Sequence, residues 1–153
     1  MLKMVFAAAL FGAVMPASVG RAQDSDFELF SQLNDAINNV SEETARESHD
    51  ACLDIATKVA ARSGMSPLMR LYFESQVESC IAYAMNNGGY SDESGDQCSH
   101  QFAHATKLAQ LIDQAGSHEV YASQLPEYRN MLESAVRLAE GMKCEQDFSP
   151  FKG

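Results

Sequence analysis

From Ser66 to Met85 the chain reads SPLMRLYFESQVESCIAYAM, and this stretch decides the fold. Ser66 can cap a helix, and Pro67 can occupy the first helical position, where its missing N–H costs nothing. Phe73, Val77, Cys80, Ile81 and Ala84 recur at helical spacing on one face, while Leu68, Tyr72 and Tyr83 occupy much of the other. A helix that is apolar on more than one side needs neighbours on more than one side. The stretch therefore predicts a central helix in an all-α protein.

Upstream, Ser41 can cap a second helix whose first turn carries Glu42 and Glu43. Its apolar face gathers Ala45, His49, Cys52, Leu53, Ala56, Val59 and Ala60, and Arg62 with Gly64 supplies the stop. The short turn that follows makes this helix an antiparallel neighbour of the central one. Further back, Phe27, Phe30, Leu33, Ile37 and Val40 suggest a modest helix from Asp24 or Asp26, weakened at Asn38-Asn39.

Downstream, residues 86–96 hold Asn, Gly, Ser and Asp and read as a loop. Its acids lack the alternation and terminal glutamate of a calcium-binding loop. Phe102, Ala105, Leu108, Ala109, Leu111, Ile112 and Ala115 then face inward on a helix from about Asp96 to Ala115. A short piece, His118 to Gln124, must end before Pro126. Tyr128, Met131, Leu132, Ala135, Leu138, Ala139 and Met142 form the last apolar stripe, followed by a tail from Glu145 with Phe148, Pro150 and Phe151. The expected architecture is an up-down bundle of four main helices with one or two short accessory helices.

The 153 residues, 46% hydrophobic, suffice for one domain. Lys3, the apolar run Met4 to Met15, Pro16 and Gly20-Arg21-Ala22 have the layout of a secretory leader, with cleavage expected after Ala22 and the bundle domain at 23–153. The run is short of the ~20 apolar residues of a spanning helix, so no stable membrane insertion is expected after cleavage. Loss of Lys3 and Arg21 would move the formal charge from −10 to −12, nine basic against 21 acidic residues. Phosphate backbones repel such a chain, which argues against nucleic acid and for a protein partner, a basic one by charge.

Four cysteines behind a leader argue for two disulfides in a periplasmic or secreted protein. Zinc is the competing reading, but Cys52, Cys80, Cys98 and Cys144 contain no short ligand pair. Bundle geometry selects among the three pairings. With a rise of ~1.5 Å per residue, Cys52 stands roughly 16 Å above the end that holds Ser41, Asn87 and Asp96. On the same scale Cys80 stands about 10 Å up, Cys98 about 4 Å and Cys144 near zero. Bonded Cα atoms lie within ~7 Å, so Cys52–Cys80 with Cys98–Cys144 is the expected arrangement.

Two groups of residues could carry function. His100 and His104 share one helix flank at the spacing of a metal-binding pair, and His49 lies on the apolar face of its own helix at a similar height. A site for a transition metal or a b-type haem built on His49, His100 and His104 is thus one expectation. The competing reading has His49 bonded in the core while His100 and His104 face solvent. The second group is Tyr90, Asp92, Glu93 and Asp96, an exposed aromatic among acids suited to a protein interface. No hydrolase, zinc-protease or phosphate-loop motif occurs, and no C-x-x-C-H haem attachment, so the chain is not read as an enzyme and no cofactor is required. The resulting expectation is a small binding module, an inhibitor, immunity-type or accessory factor acting through its surface, with the histidine site as the alternative.

Overall fold

The computed structural model describes residues 20–152, with side chains from 26 onward. Most of the expected leader, residues 1–19, therefore lies outside the described residues. The elements are α1 (Gly20–Asn38), α2 (Ala45–Ala61), α3 (Pro67–Gly88), α4 (Gln97–Gly116), α5 (Glu119–Ala122), α6 (Leu125–Gly141) and a 3-10 turn, Ser149–Phe151. The fold is an all-α bundle of five substantial helices and one short one, and among the described residues there is no strand, only an isolated bridge between Asp92 and Gly95. None of the described helices is long and apolar enough to cross a membrane.

The central helix forms for the reasons its sequence offers. Ser66 Oγ accepts the Met69 N–H at 3.2 Å and Pro67 opens the first turn. The helix runs past Met85 to Gly88, because the signal that stops it is Gly89 in the left-handed region (φ 61°) rather than the asparagines. Asn87 instead donates to the Tyr83 carbonyl at 2.8 Å and adds to the last turn. The loop is accordingly shorter than expected, 89–96.

Apolar side chains leave α3 in two directions, into two separate cores. Phe73, Val77, Cys80, Ile81 and Met85 pack with Leu29, Leu33, Ala36 and Ile37 of α1 and with Cys52, Ile55 and Val59 of α2. Leu68, with Leu71 and Tyr72 beside it, joins Ala105, Leu108, Leu111 and Ala115 of α4, Tyr128, Ala135, Val136 and Ala139 of α6, and Phe148. Thus α3 is the wall between two half-bundles, which is why its own pattern shows no single face. The tail packs back: the Phe148 and Phe151 rings each lie 5.4 Å, centroid to centroid, from Phe102.

Two details of α2 depart from its sequence pattern. Ser41 does cap, but as part of a turn: its Oγ accepts the Thr44 N–H at 3.2 Å and Thr44 Oγ1 accepts the Ser41 N–H at 2.9 Å, so the helix proper begins at Ala45. The buried stripe is rotated by part of a turn. Ile55 is buried where Leu53 was expected, and Leu53 is 43% exposed. The reason lies in Cys52: its bond to α3 fixes the inward direction, and three residues on from Cys52 is Ile55. At the far end, the Arg70 guanidinium of α3 donates to the carbonyls of Val59 and Arg62 at 2.6 and 2.7 Å, closing the α2–α3 turn.

Both disulfides join the cysteines that helix heights paired. Cys52–Cys80 ties α2 to α3 with Cα atoms 6.1 Å apart, and Cys98–Cys144 ties the first turn of α4 to the residue group after α6 at 5.3 Å. Lys143 adopts a left-handed conformation (φ 60°), and the Cys144 N–H reaches back to the Ala139 carbonyl at 3.0 Å, which turns Cys144 toward Cys98.

Gly88 is where α2 and α3 approach most closely at the loop end. A Cβ there would stand 2.8 Å from that of Ala45 and 2.5 Å from a Tyr90 ring carbon. Alanine gains at most about 1 kcal/mol of helix propensity, whereas overpacking of this kind costs about 1–3 kcal/mol. Gly88→Ala is therefore expected to lower stability by about 1 kcal/mol in urea titration and to shift the Tyr90 ring resonances, because the ring must move.

Candidate functional site

The polar chemistry of the bundle converges on the loop 89–96, where α2, α3 and α4 all supply a partner. Tyr90 enters first. Its hydroxyl donates to the Ala45 carbonyl at 3.3 Å and the Arg46 guanidinium lies 4.2 Å from its ring centroid. The aromatic expected to be exposed is thus half-buried and serves as the loop's foot on α2. Asp96 is likewise structural: it caps α4 by accepting the Ser99 N–H at 2.8 Å, and this bond holds its carboxyl below the usual range.

Between these two anchors the chain turns tightly, with Asp92 and Gly95 exchanging backbone hydrogen bonds at 3.0 and 3.2 Å. Asp92 Oδ1 accepts both the Ser94 N–H, at 2.7 Å, and the Ser94 hydroxyl. These bonds, and after them the nearby His49 and His100, hold the Asp92 carboxyl below its ordinary range. Ser94 Oγ also lies 3.0 Å from His100 Nε2, and His100 Nδ1 lies 2.7 Å from Glu78 Oε2 on α3. On the other side, His49 Nε2 is buried without a hydrogen-bond partner, 3.5 Å from Asp92 Oδ2.

All three candidate histidines are buried, so the alternative in which His100 and His104 face solvent is corrected. Each is spent differently. His104 Nδ1 donates to the Ser75 carbonyl at 2.7 Å, and burial pushes its pKa down to about 4 against that bond and the nearby Glu78. His100 spans Glu78 and Ser94, while His49 stands across the loop on α2. The structure does not gather the three imidazoles: among the described residues no group of three or more His, Cys, Asp or Glu side chains is arranged to hold a metal ion. Helical spacing finds histidines on a common flank, but the bonds that orient the rings come from other helices.

Ser94, His100 and Glu78 stand in the order of a nucleophile, a base and its orienting acid. Asp92 changes what that order can do. The serine hydroxyl has a carboxylate oxygen nearer than the imidazole, so its single proton is directed away from the base. The arrangement fixes a loop rather than activating an oxygen.

Glu78, Ser94 and Arg46 were not singled out by their sequence context. Ser94 could have been: a serine two residues after an aspartate in a turn commonly bonds its side chain, and it precedes the helix that carries His100. What remains on the outside is acidic. Asp92 and Glu93 are exposed at the loop tip, and Asp50 of α2 is exposed and close enough to act electrostatically on Tyr90. Comparison of the chain with protein-family models, with curated proteins and with solved structures gives no match, so its function is argued from this geometry.

Proposed function

We infer that the protein is a small periplasmic or secreted binding module that acts on a basic protein partner, as an inhibitor, an immunity-type protein or an accessory factor, through the acidic loop end of the bundle. The observation that carries this reading is a loop tip whose Tyr90, Asp92, Ser94 and Asp96 side chains are held against α2 and α4 while Asp92 and Glu93 stay at the surface. A surface fixed before binding loses little entropy on association. The formal charge of −10 favours encounter with a cationic partner, and the two disulfides suit an oxidising compartment.

The test is capture from periplasmic or culture-medium extract with the untagged oxidised protein on a matrix, identification of the retained protein, and calorimetry on the purified pair. Charge reversal in Asp50→Lys/Glu93→Lys is expected to weaken the affinity at least about tenfold at low salt, mainly through the association rate. An affinity unchanged by that reversal, or no protein retained at moderate salt, overturns the reading.

A further inference from the structure

We propose that the Cys98–Cys144 bridge is a thiol-exchange site: an external thiol attacks Cys144 Sγ, Cys98 leaves as a thiolate at the start of α4, and Cys52–Cys80 stays closed. This stands whether or not the acidic loop meets a partner.

The two bridges differ in what covers them. Cys52 and Cys80 are fully buried in the first core, packed with Ile55, Phe73, Val77 and Ile81. A thiol reaches that bond only after the core opens. Cys144 is partly exposed, and Cys98 borders an open cleft of about 500 Å³ between the start of α4 and the segment after α6, with Gln97, Met142, Lys143 and Glu145 around it. The tail beyond Cys144 has its own anchorage: Phe148 is buried, and both it and Phe151 meet Phe102. Breaking this bond therefore leaves the tail seated and the bundle folded.

The direction of exchange follows from where each sulfur sits. Cys98 is the second residue of the 20-residue α4, at the positive end of that helix, where a sulfur anion is favoured. Cys144 follows the end of α6, its N–H on the Ala139 carbonyl, at a negative helix end that disfavours an anion. Of the nearby charges, Asp96 is engaged by the Ser99 N–H and hydroxyl, Glu145 is exposed, and Lys143 is exposed with no ion pair among the described residues. The more accessible sulfur is thus the one attacked and the better leaving group is the other. The incoming thiolate bonds to Cys144 Sγ, the bond between the two cysteines breaks, and its electron pair leaves on Cys98. A second thiol, from the same dithiol donor or another small thiol, then displaces Cys144. Two electrons have passed from the thiol pair, which ends as a disulfide, to the bridge, which ends as two thiols.

The experiment exposes the full oxidised wild-type chain to dithiothreitol or to glutathione near neutral pH, stops the reaction with acid at intervals, and locates thiols and adducts by peptide mass mapping. Cys98–Cys144 is expected to open at least about tenfold faster than Cys52–Cys80 in the absence of denaturant. Urea is expected to narrow that ratio toward the unfolding transition, because opening of the first core then ceases to limit the buried bridge. With glutathione, the trapped mixed disulfide is expected on Cys144, with Cys98 as the free thiol. Reaction with dithiothreitol alone would assign the site to dithiol donors; reaction with both would extend it to small monothiols. Equal opening of the two bridges without urea, faster opening of Cys52–Cys80, or glutathione carried mainly on Cys98 overturns the proposal.

Discussion

Reduction of both disulfides is expected to unfold the protein at about 37 °C, which circular dichroism melts with and without reductant test directly. The bridges close loops whose ends are 28 and 46 residues apart in sequence. In the chain-entropy view each bridge contributes roughly 4 kcal/mol by restricting the unfolded chain, so the pair together amounts to most of the ~5–15 kcal/mol that holds a domain of this size. The two are not equivalent. The longer loop favours Cys98–Cys144 by only a few tenths of a kcal/mol, since closure entropy grows with the logarithm of length. Burial decides the other way. Cys52 and Cys80 are each 0% exposed in the first core, whereas Cys98 is 6% exposed and Cys144 lies at the edge of the second core. Removing the buried pair leaves a void worth about 1–2 kcal/mol beyond the entropy. Cys52→Ala/Cys80→Ala is therefore expected to lower Tm on the order of 15 °C and Cys98→Ala/Cys144→Ala on the order of 10 °C. A reduced protein that melts within a few degrees of the oxidised one would show that the bridges only decorate a bundle already stable without them.

That the pairing could be read from helix heights shows which information a helical sequence carries well. Rise per residue is fixed, so Cys52 with Cys80 and Cys98 with Cys144 followed once the turn positions were known to within a residue or two. Ser66, Pro67 and Asp96 mark their helix starts by chemistry that acts over three or four residues, and all three hold in the structure. Rotation about the helix axis is less well determined. A stripe of alternating small and large apolar residues leaves α2 free to turn by tens of degrees. The choice of Ile55 over Leu53 was made by the bond from Cys52, not by the stripe. The site was harder still. Tyr90 was read as exposed from its polar neighbours, but Gly88 lacks the side chain that would keep the ring off α2, and Arg46 covers it from above. Glu78 meets His100 across two helices, a relation that no local spacing encodes.

His104 gives the second large effect, a loss of stability in mild acid. The ring is enclosed between α3 and α4, donates to the Ser75 carbonyl, and has a folded-state pKa near 4 against an ordinary 6.5. Desolvation is the principal cause, and the Ser75 bond and Glu78 oppose it. A depressed imidazole pKa means that the unfolded chain binds the proton first. As pH falls from about 6.5 to about 4 the unfolded state is therefore favoured, the loss saturates below about 4, and above about 6.5 the group has no further effect. Roughly 3 kcal/mol is at stake, about a third of the stability of a typical domain. Other groups titrate over neighbouring pH values, so the diagnostic quantity is a difference between two proteins. His104→Asn can still donate an amide N–H toward Ser75, loses ring volume and with it stability at neutral pH, and does not titrate. In urea titrations across pH 7 to pH 4, wild type is expected to lose about 3 kcal/mol more than His104→Asn, most of it within the upper two units. The depressed carboxyls of Asp92, Asp96 and Asp147 leave this window clear, since their contribution is lost only as pH falls below the ordinary carboxylate value. Parallel curves for the two proteins would mean that His104 takes up its proton without leaving the fold, and that its enclosure between α3 and α4 is not what keeps the ring neutral.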